Sequence, residues 1–454
     1  MRLGHRQAQV NQPASLTERS HSLAWRTLLA AAIVCGLITA LCARVLGAVD
    51  PTRADVTWEW VFVHAASGGS DLSTGIESLA LQTGAVFDDG EPAVRDEEDV
   101  AFRTPGALLV LLPLLLVPWQ DAFFWMTIVG GLSLLALFAV VIPRSVNRRL
   151  NELILPTIAA ILSAPVVESL NWGTSSAIAG LLFSLAWCNL DRPASGTFLG
   201  VATNLKLYPG LGVIALFASR RARSALWALG VILVMNALGS LVFGWSPLDA
   251  AALMIAGSED YVGLFGNLSL AGLISQAGGP TILAAVITLV ALAGTVAFSR
   301  RHSARQSVAF AVALALVASP LSWLHYELIA LPIALWVYGR RSLWRWAAFI
   351  SWTWILASTI LFAAASVFEA LWIVNLIVLV RLLIPVAVAL SPRELWNDGV
   401  PVRQDGSSFH VASPDWRDAH LSRRHTPFDF LNRGSRELRD ESGGVLANPR
   451  LSLS

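Results

Sequence analysis

The chain reads as an all-α, polytopic membrane protein, on three observations. Of its 454 residues 55% are hydrophobic and only 14% are charged, with a mean hydropathy of +0.61; a soluble domain carries about 25% charged residues. Apolar segments recur from Ala24 to Leu390. Arginines gather in the short turns between them, which by the positive-inside rule marks one membrane face. The unusual polar stretches fall on the other face, and polar groups collected on one face of a membrane protein point to a site there.

Crossings are expected near 24–48, 121–143, 152–168, 173–190, 224–243, 280–299, 306–321, 324–339, 343–366 and 369–390. The first follows a basic N-terminus, but its apolar run exceeds a signal-peptide core, so it reads as an uncleaved helix. The stretch 196–219 is too short for two full spans of about 20 residues each. Pro209 in Lys206-Leu207-Tyr208-Pro209 would break a helix at its midpoint. It therefore reads as a short broken hairpin with Lys206 and Tyr208 near its outer tip, which brings the total to about twelve membrane segments. Gly106–Trp119 is apolar but holds Pro113 and Pro118, and reads as a helix lying on or dipping into the outer interface.

The turns Arg144–Arg149, Asp191-Arg192, Arg220–Arg223, Arg300–Arg305 and Arg340–Arg345 all lie inside if both termini do, and an even number of crossings is consistent with this. Residues 1–23 then form a cytoplasmic tail, 24–390 the transmembrane domain, and 391–454 a polar, disordered cytoplasmic tail. The outer face holds two long loops, about 50–120 and 244–279, too long for plain connectors. The three cysteines (Cys35, Cys42, Cys188) lie in or beside apolar segments and imply neither disulfide nor metal framework. No basic stripe with interleaved aromatics is present, which argues against nucleic acid as a partner.

Several residues carry candidate chemistry. Asp55 follows the first crossing, where a carboxylate can act as a general base toward an attacking hydroxyl; Asp50, Glu59 and Asp71 are rivals, and the acidic run 88–99 reads as a solvated face. Lys206 sits in an apolar stretch where an ammonium must be paired or face water. A phosphate is its natural counter-ion, with Tyr208 donating a hydrogen bond. Arg103, just before Pro105, is a second cation. His325 follows Ser319-Pro320-Leu321-Ser322-Trp323-Leu324 and suits a phosphate or a sugar hydroxyl, or an interfacial carbonyl. Asn267 matches a glycosylation sequon, a pattern common by chance, and equally suits a sugar or a loop backbone.

These pieces, in order, resemble glycosyltransferase family 87: Asp55, Asp71-Leu72, Phe102-Arg103-Thr104-Pro105, Asn171-Trp172, Lys206-Leu207-Tyr208-Pro209, Asn267-Leu268-Ser269-Leu270-Ala271-Gly272-Leu273, and Ser319-Pro320-Leu321-Ser322-Trp323-Leu324-His325-Tyr326. Members are GT-C polytopic enzymes of actinobacterial envelopes, best known as polyprenol-phosphate-mannose-dependent α-mannosyltransferases. The resemblance spans roughly Ala24 to Leu390 and differs in the first outer loop. There Trp58 and Trp60, Ser73, and Arg103-Thr104-Pro105-Gly106 stand where the family usually has tyrosines and Tyr-Pro-Pro.

The resemblance implies a plasma-membrane enzyme with an outer-face site. It would move mannose from polyprenyl-phosphate mannose to a glycolipid or lipoglycan acceptor, inverting and without a metal or other cofactor. Asp55 would be the base, and Lys206 and His325 would stabilise the leaving phosphate. Tyr208, Asp71, Arg103, Asn267, Ser319 and Trp323 would bind substrate. Two alternatives stay open: a polyprenyl-phosphate-arabinose-dependent arabinofuranosyltransferase, and a lipid-linked sugar flippase. A flippase predicts polar residues through the membrane midplane, and the mid-span exceptions here are Asn236, Asn375 and Arg381.

Overall fold

The computed structural model describes residues 55–94, 103–145, 160–161, 163–253, 267, 269–280, 282–319, 324–338, 380, 383–392 and 396. The crossings expected at 24–48 and 343–366, most of that at 369–390, the N-terminal tail and nearly all of the C-terminal tail lie outside these residues. The described residues are helical, with one isolated antiparallel bridge between Val86 and Pro92 and no extended strand.

Residues 55–94 and 103–116 hold more helix than the loop expected there. They contain α1 (Asp55–Ser67), α2 (Ile76–Thr83) and α3 (Pro105–Leu111), and α3 runs into a 3-10 segment, Leu112–Leu116. Thr104 caps α3 by accepting from Ala107 N at 3.1 Å, and Pro105 occupies the first helical position, where its missing N–H costs nothing. Helix α1 is apolar almost all round and buries nine of its residues, including Glu59. Trp60 packs inside the protein. It is stacked on His64, and its Nε1 donates to Val117 O at 2.7 Å. Gly106–Trp119 is a short two-part helix in the structure, and the change of helix type begins next to Pro113.

Among the described residues, three helices are long and apolar enough to cross a membrane: α4 (Trp119–Ser145), α9 (Ala222–Phe243) and α11 (Ile282–Ser299). Between them lie α5 (Ala164–Asn171), α6 (Ser176–Cys188), α7 (Ala194–Leu205), α8 (Gly210–Ala218) and α10 (Leu270–Gln276). After them come α12 (Ala304–Ala318), a 3-10 segment Leu324–Ala330 and α13 (Leu331–Tyr338). The expected crossing at 152–168 is interrupted: Ser163 is extended, and α5 starts afresh at Ala164-Pro165.

The expected break in 196–219 is present. Helix α7 ends at Leu205, Lys206 is extended (φ −144°, ψ 123°), and Pro209 leads into α8. The twelve residues of α7 rise only about 18 Å and the nine of α8 about 14 Å, short of a hydrocarbon core of about 30 Å. The bend thus stops part-way along α9. Helix α7 fits there through Gly196 and Gly200. A methyl on Gly196 would run into Ser224 O, and one on Gly200 would lie 2.7 Å from Ala228 O. Small residues four apart let two backbones approach closely, the packing usual inside a membrane.

Where α7 stops, α3 takes over the same face of α9. Asn236 Nδ2 donates to Asn204 Oδ1 at 2.7 Å, Gly106 N donates to Asn236 Oδ1 at 3.3 Å, and Thr104 Oγ1 donates to Asn204 O at 3.1 Å. Three elements are tied at one level, roughly 21 Å along α9 from Ala222. Asn236, a polar residue in an apolar span, has a packing role there.

Candidate active site

Five segments meet around the bend of the α7–α8 hairpin. Helix α1 begins at Asp55, where a carboxylate complements the helix dipole. Its first turn is held by Val56 N donating to Trp172 O at 3.4 Å. Asp55 and Glu59 are four residues apart and so share one face of α1. Glu59 is fully buried. Its Oε1 accepts from Arg103 Nη2 at 3.0 Å and from Ser175 Oγ at 2.7 Å, while Oε2 meets no partner among the described residues. Burial alone would weaken the charge on Arg103, but the adjacent Glu59 carboxylate outweighs it and moves the guanidinium further toward its charged form. Trp245 Nε1 donates to Arg103 O at 3.2 Å, so the backbone of this residue is fixed too.

Lys206 is buried, and its Nζ lies 4.9 Å from the centre of the Tyr326 ring. Tyr326 stacks on Tyr208, with ring centres 4.9 Å apart and planes inclined by 27°. Asp55 and Glu59 are both within electrostatic reach of Arg103, Lys206 and Tyr326. Two carboxylates from α1, a cation before α3, a cation in the hairpin bend and a pair of tyrosine rings thus share one buried neighbourhood. A carboxylate can accept a proton there. Two cations set in a low-dielectric surrounding can stabilise an anion that develops beside them.

Of the residues singled out from the sequence, Asp55, Arg103, Lys206 and Tyr208 come together. Asp71 does not join them. It is exposed, and its carboxylate accepts from Ser73 Oγ at 2.7 Å and Ser73 N at 2.9 Å, which holds its carboxyl below the usual range. Asn267 is buried with its Oδ1 accepting from Ser269 N at 3.2 Å. This contact is with its own loop backbone. Ser319 ends α12 with extended backbone, and its N–H donates to Ala315 O at 2.9 Å. His325 lies in the 3-10 segment Leu324–Ala330; its side chain, and the whole of Trp323, lie outside the described residues.

Glu59, Ser175 and Tyr326 were not among the chosen site residues. The i, i+4 spacing of Asp55 and Glu59 was a readable signal for the first, and Tyr326 adjoins His325. Nothing local marks Ser175, which reaches Glu59 only through the turn between α5 and α6.

Residues 103–324 match the family described as glycosyltransferase family 87. The chain is 27% identical over 323 residues to a polyprenol-phosphate-mannose-dependent alpha-(1-2)-phosphatidylinositol pentamannoside mannosyltransferase of Mycolicibacterium smegmatis (strain ATCC 700084 / mc(2)155), covering 66% of this chain and 75% of that protein. A protein with the same description from Mycobacterium tuberculosis (strain CDC 1551 / Oshkosh) is 26% identical over 279 residues, covering 56% of this chain and 62% of the relative. No solved structure matches the chain. The matched segment contains Arg103, Lys206 and Tyr208, and stops two residues short of Tyr326; Asp55 and Glu59 precede it. This is an enzyme, a helical membrane glycosyltransferase, and over residues 103–324 it is similar to glycosyltransferase family 87.

Proposed function

We propose that this enzyme moves a mannosyl residue from polyprenyl-phosphate mannose to a lipid-linked glycan acceptor on the outer face of the membrane, with inversion at the anomeric carbon and without a metal. The observation that carries this reading is the meeting of Asp55 and Glu59 with Arg103 and Lys206 at the hairpin bend. The names of the mycobacterial relatives supply the donor and the acceptor class.

In this reading the acceptor hydroxyl attacks the anomeric carbon from the face opposite the phosphate. Its proton passes to Asp55, the new C–O bond forms, and the bond from the anomeric carbon to the phosphate oxygen breaks. Polyprenyl phosphate leaves as an anion, stabilised by Lys206 and His325. Glu59 has a different role: it is already engaged by Arg103 and Ser175, and holds Arg103 toward the reacting phosphate. The stacked Tyr208 and Tyr326 form a wall that excludes water, with the Tyr208 hydroxyl as a donor to the phosphate. Ser319 and Trp323 are assigned to the acceptor side, and Asp71 is left outside the site.

The topology that goes with this reading has about twelve membrane segments. Both termini and the arginine-rich turns face the cytoplasm, and the Lys206 end faces outward. Cysteine labelling at Ala222 and Ser224 tests it, and reaction from the outside at either position overturns it. The chemical test is transfer by purified enzyme from polyprenyl-phosphate mannose and, separately, from polyprenyl-phosphate arabinose. Mannose transfer that falls by roughly 10²–10⁴ in Asp55→Asn supports the assignment of base and donor. Transfer of arabinose alone replaces the donor, and near-normal transfer by Asp55→Asn moves the base to Glu59 or Asp71.

A further inference from the structure

The other end of helix α8 holds a second feature that the transfer reaction does not use. A cavity of about 500 Å³ opens between the ends of α8 and α11, lined by Ile214, Phe217, Ala218, Arg220, Val296 and Arg300. It lies a whole helix away from Lys206, roughly 14 Å along α8. Its walls are apolar apart from the two arginines, and no acidic side chain lines it. The neighbouring Arg221 is taken up by Asp191, at 2.7 Å. Arg220 and Arg300 have no carboxylate partner among the described residues.

The backbone at Arg220 is unusual. Helix α8 ends with Arg221 N donating to Leu216 O at 2.9 Å and Arg220 N to Phe217 O at 3.1 Å. This double-bonded C-terminal cap puts its first residue beyond the helix in the left-handed region, a place where glycine is the usual choice. Arg220 occupies it at φ +64°, the one non-glycine residue with positive φ among the described residues. A cap needs no side chain at that position. Strain accepted at a residue whose guanidinium rims a cavity points to a use for the side chain. Two guanidinium forks match phosphate geometry, and an apolar floor matches hydrocarbon. Basic pockets between membrane helices suit anionic headgroups.

We propose that this cavity binds an anionic phospholipid, with its phosphate between Arg220 and Arg300 and an acyl chain along Ile214, Phe217 and Val296. The apolar walls favour a membrane lipid over free phosphate.

The test uses the full chain, purified in a neutral detergent. Its melting temperature and the lipid it retains in native mass spectrometry are measured with phosphatidylglycerol, phosphatidylcholine or inorganic phosphate added. Phosphatidylglycerol is expected to raise the melting temperature by several degrees and to be retained as a single bound lipid. Phosphatidylcholine and inorganic phosphate should do neither. Arg300→Gln and Arg220→Gly should lose the phosphatidylglycerol shift, and Arg192→Gln, which is not among the residues lining the cavity, should keep it. Without lipid, Arg220→Gly should melt at the same temperature as the parent or higher, because glycine relieves the backbone. An equal shift with phosphatidylcholine, or with inorganic phosphate, overturns the assignment to an anionic lipid. A shift that survives in Arg300→Gln overturns the site itself, whether or not Arg220→Gly folds.

Discussion

Among the described residues, two buried cations lie against aromatic rings, and they do different things. Arg305, at the start of α12, has its guanidinium carbon 4.0 Å from the centre of the Trp336 ring and 5.4 Å from that of Trp187. Trp187 in turn packs edge-on against Trp336 and Trp396, and the adjacent Gln306 donates to Ala389 O and Ser391 O at 3.0 Å each. Lys206 also faces a ring, that of Tyr326, but it sits where a helix has stopped and within reach of two carboxylates from another segment. Arg305 lies in a regular helix among indoles and fastens one end of the bundle. Lys206 lies at irregular backbone, which is tolerated at membrane depth only where it is buried in protein or lines a water-filled cavity. A buried cation alone does not mark a site; one at a chain break beside opposite charge does.

The contrast predicts a graded set of outcomes. Lys206→Ala should abolish transfer measured with purified enzyme. Lys206→Arg should recover only part of it, since a planar fork does not replace a compact ammonium. Rescue to parental turnover by arginine would make Lys206 a mere anchor like Arg305.

A smaller but still large effect is expected on stability from Glu59→Gln. Removing one partner of a buried ion pair costs roughly 3–5 kcal/mol, and the value here should lie toward the low end because Arg103 keeps some exposure (19%). The double change Glu59→Gln with Arg103→Gln should recover part of that loss, and strictly additive losses would show that the two do not act as a pair.

Arg305→Met comes next. Cation–π contacts contribute about 0.5–2 kcal/mol, so melting should shift modestly while turnover per folded molecule stays unchanged. A fall in kcat at constant stability would erase the distinction between the two cations. The smallest effects are expected from Tyr208→Phe, which keeps the ring stack on Tyr326 and should raise KM a few-fold, and from Asp71→Asn, which should leave turnover unaltered. Loss of activity in Asp71→Asn would bring the exposed turn into the site.

The legible parts of this protein were those with a local cause. The hairpin break could be read from Pro209 and from a stretch too short for two spans, and the three long apolar helices from composition and length. Helix α1 was not legible as a helix. It is apolar all round, so it lacks the polar face that marks an amphipathic helix, and the charged residues around it read as loop. Asn236 read as an odd polar residue in a span, and its partners Asn204 and Gly106 lie far from it in sequence.

By itself the sequence determined that this chain is a helical membrane protein, where its arginines gather, that the chain must break near Lys206, and which acids and cations were available. Those follow from hydropathy, proline geometry and residue chemistry, which act over a few residues. The tertiary structure alone decided that Glu59 rather than Asp71 stands with Asp55. It also decided that Arg103 is held by Glu59 and Ser175, and that α3 continues the face of α9 that α7 leaves uncovered. The reason is that such pairings join segments 44 and 116 residues apart. They are selected by the cost of leaving a buried charge unpaired, a condition that exists only after the helices have packed.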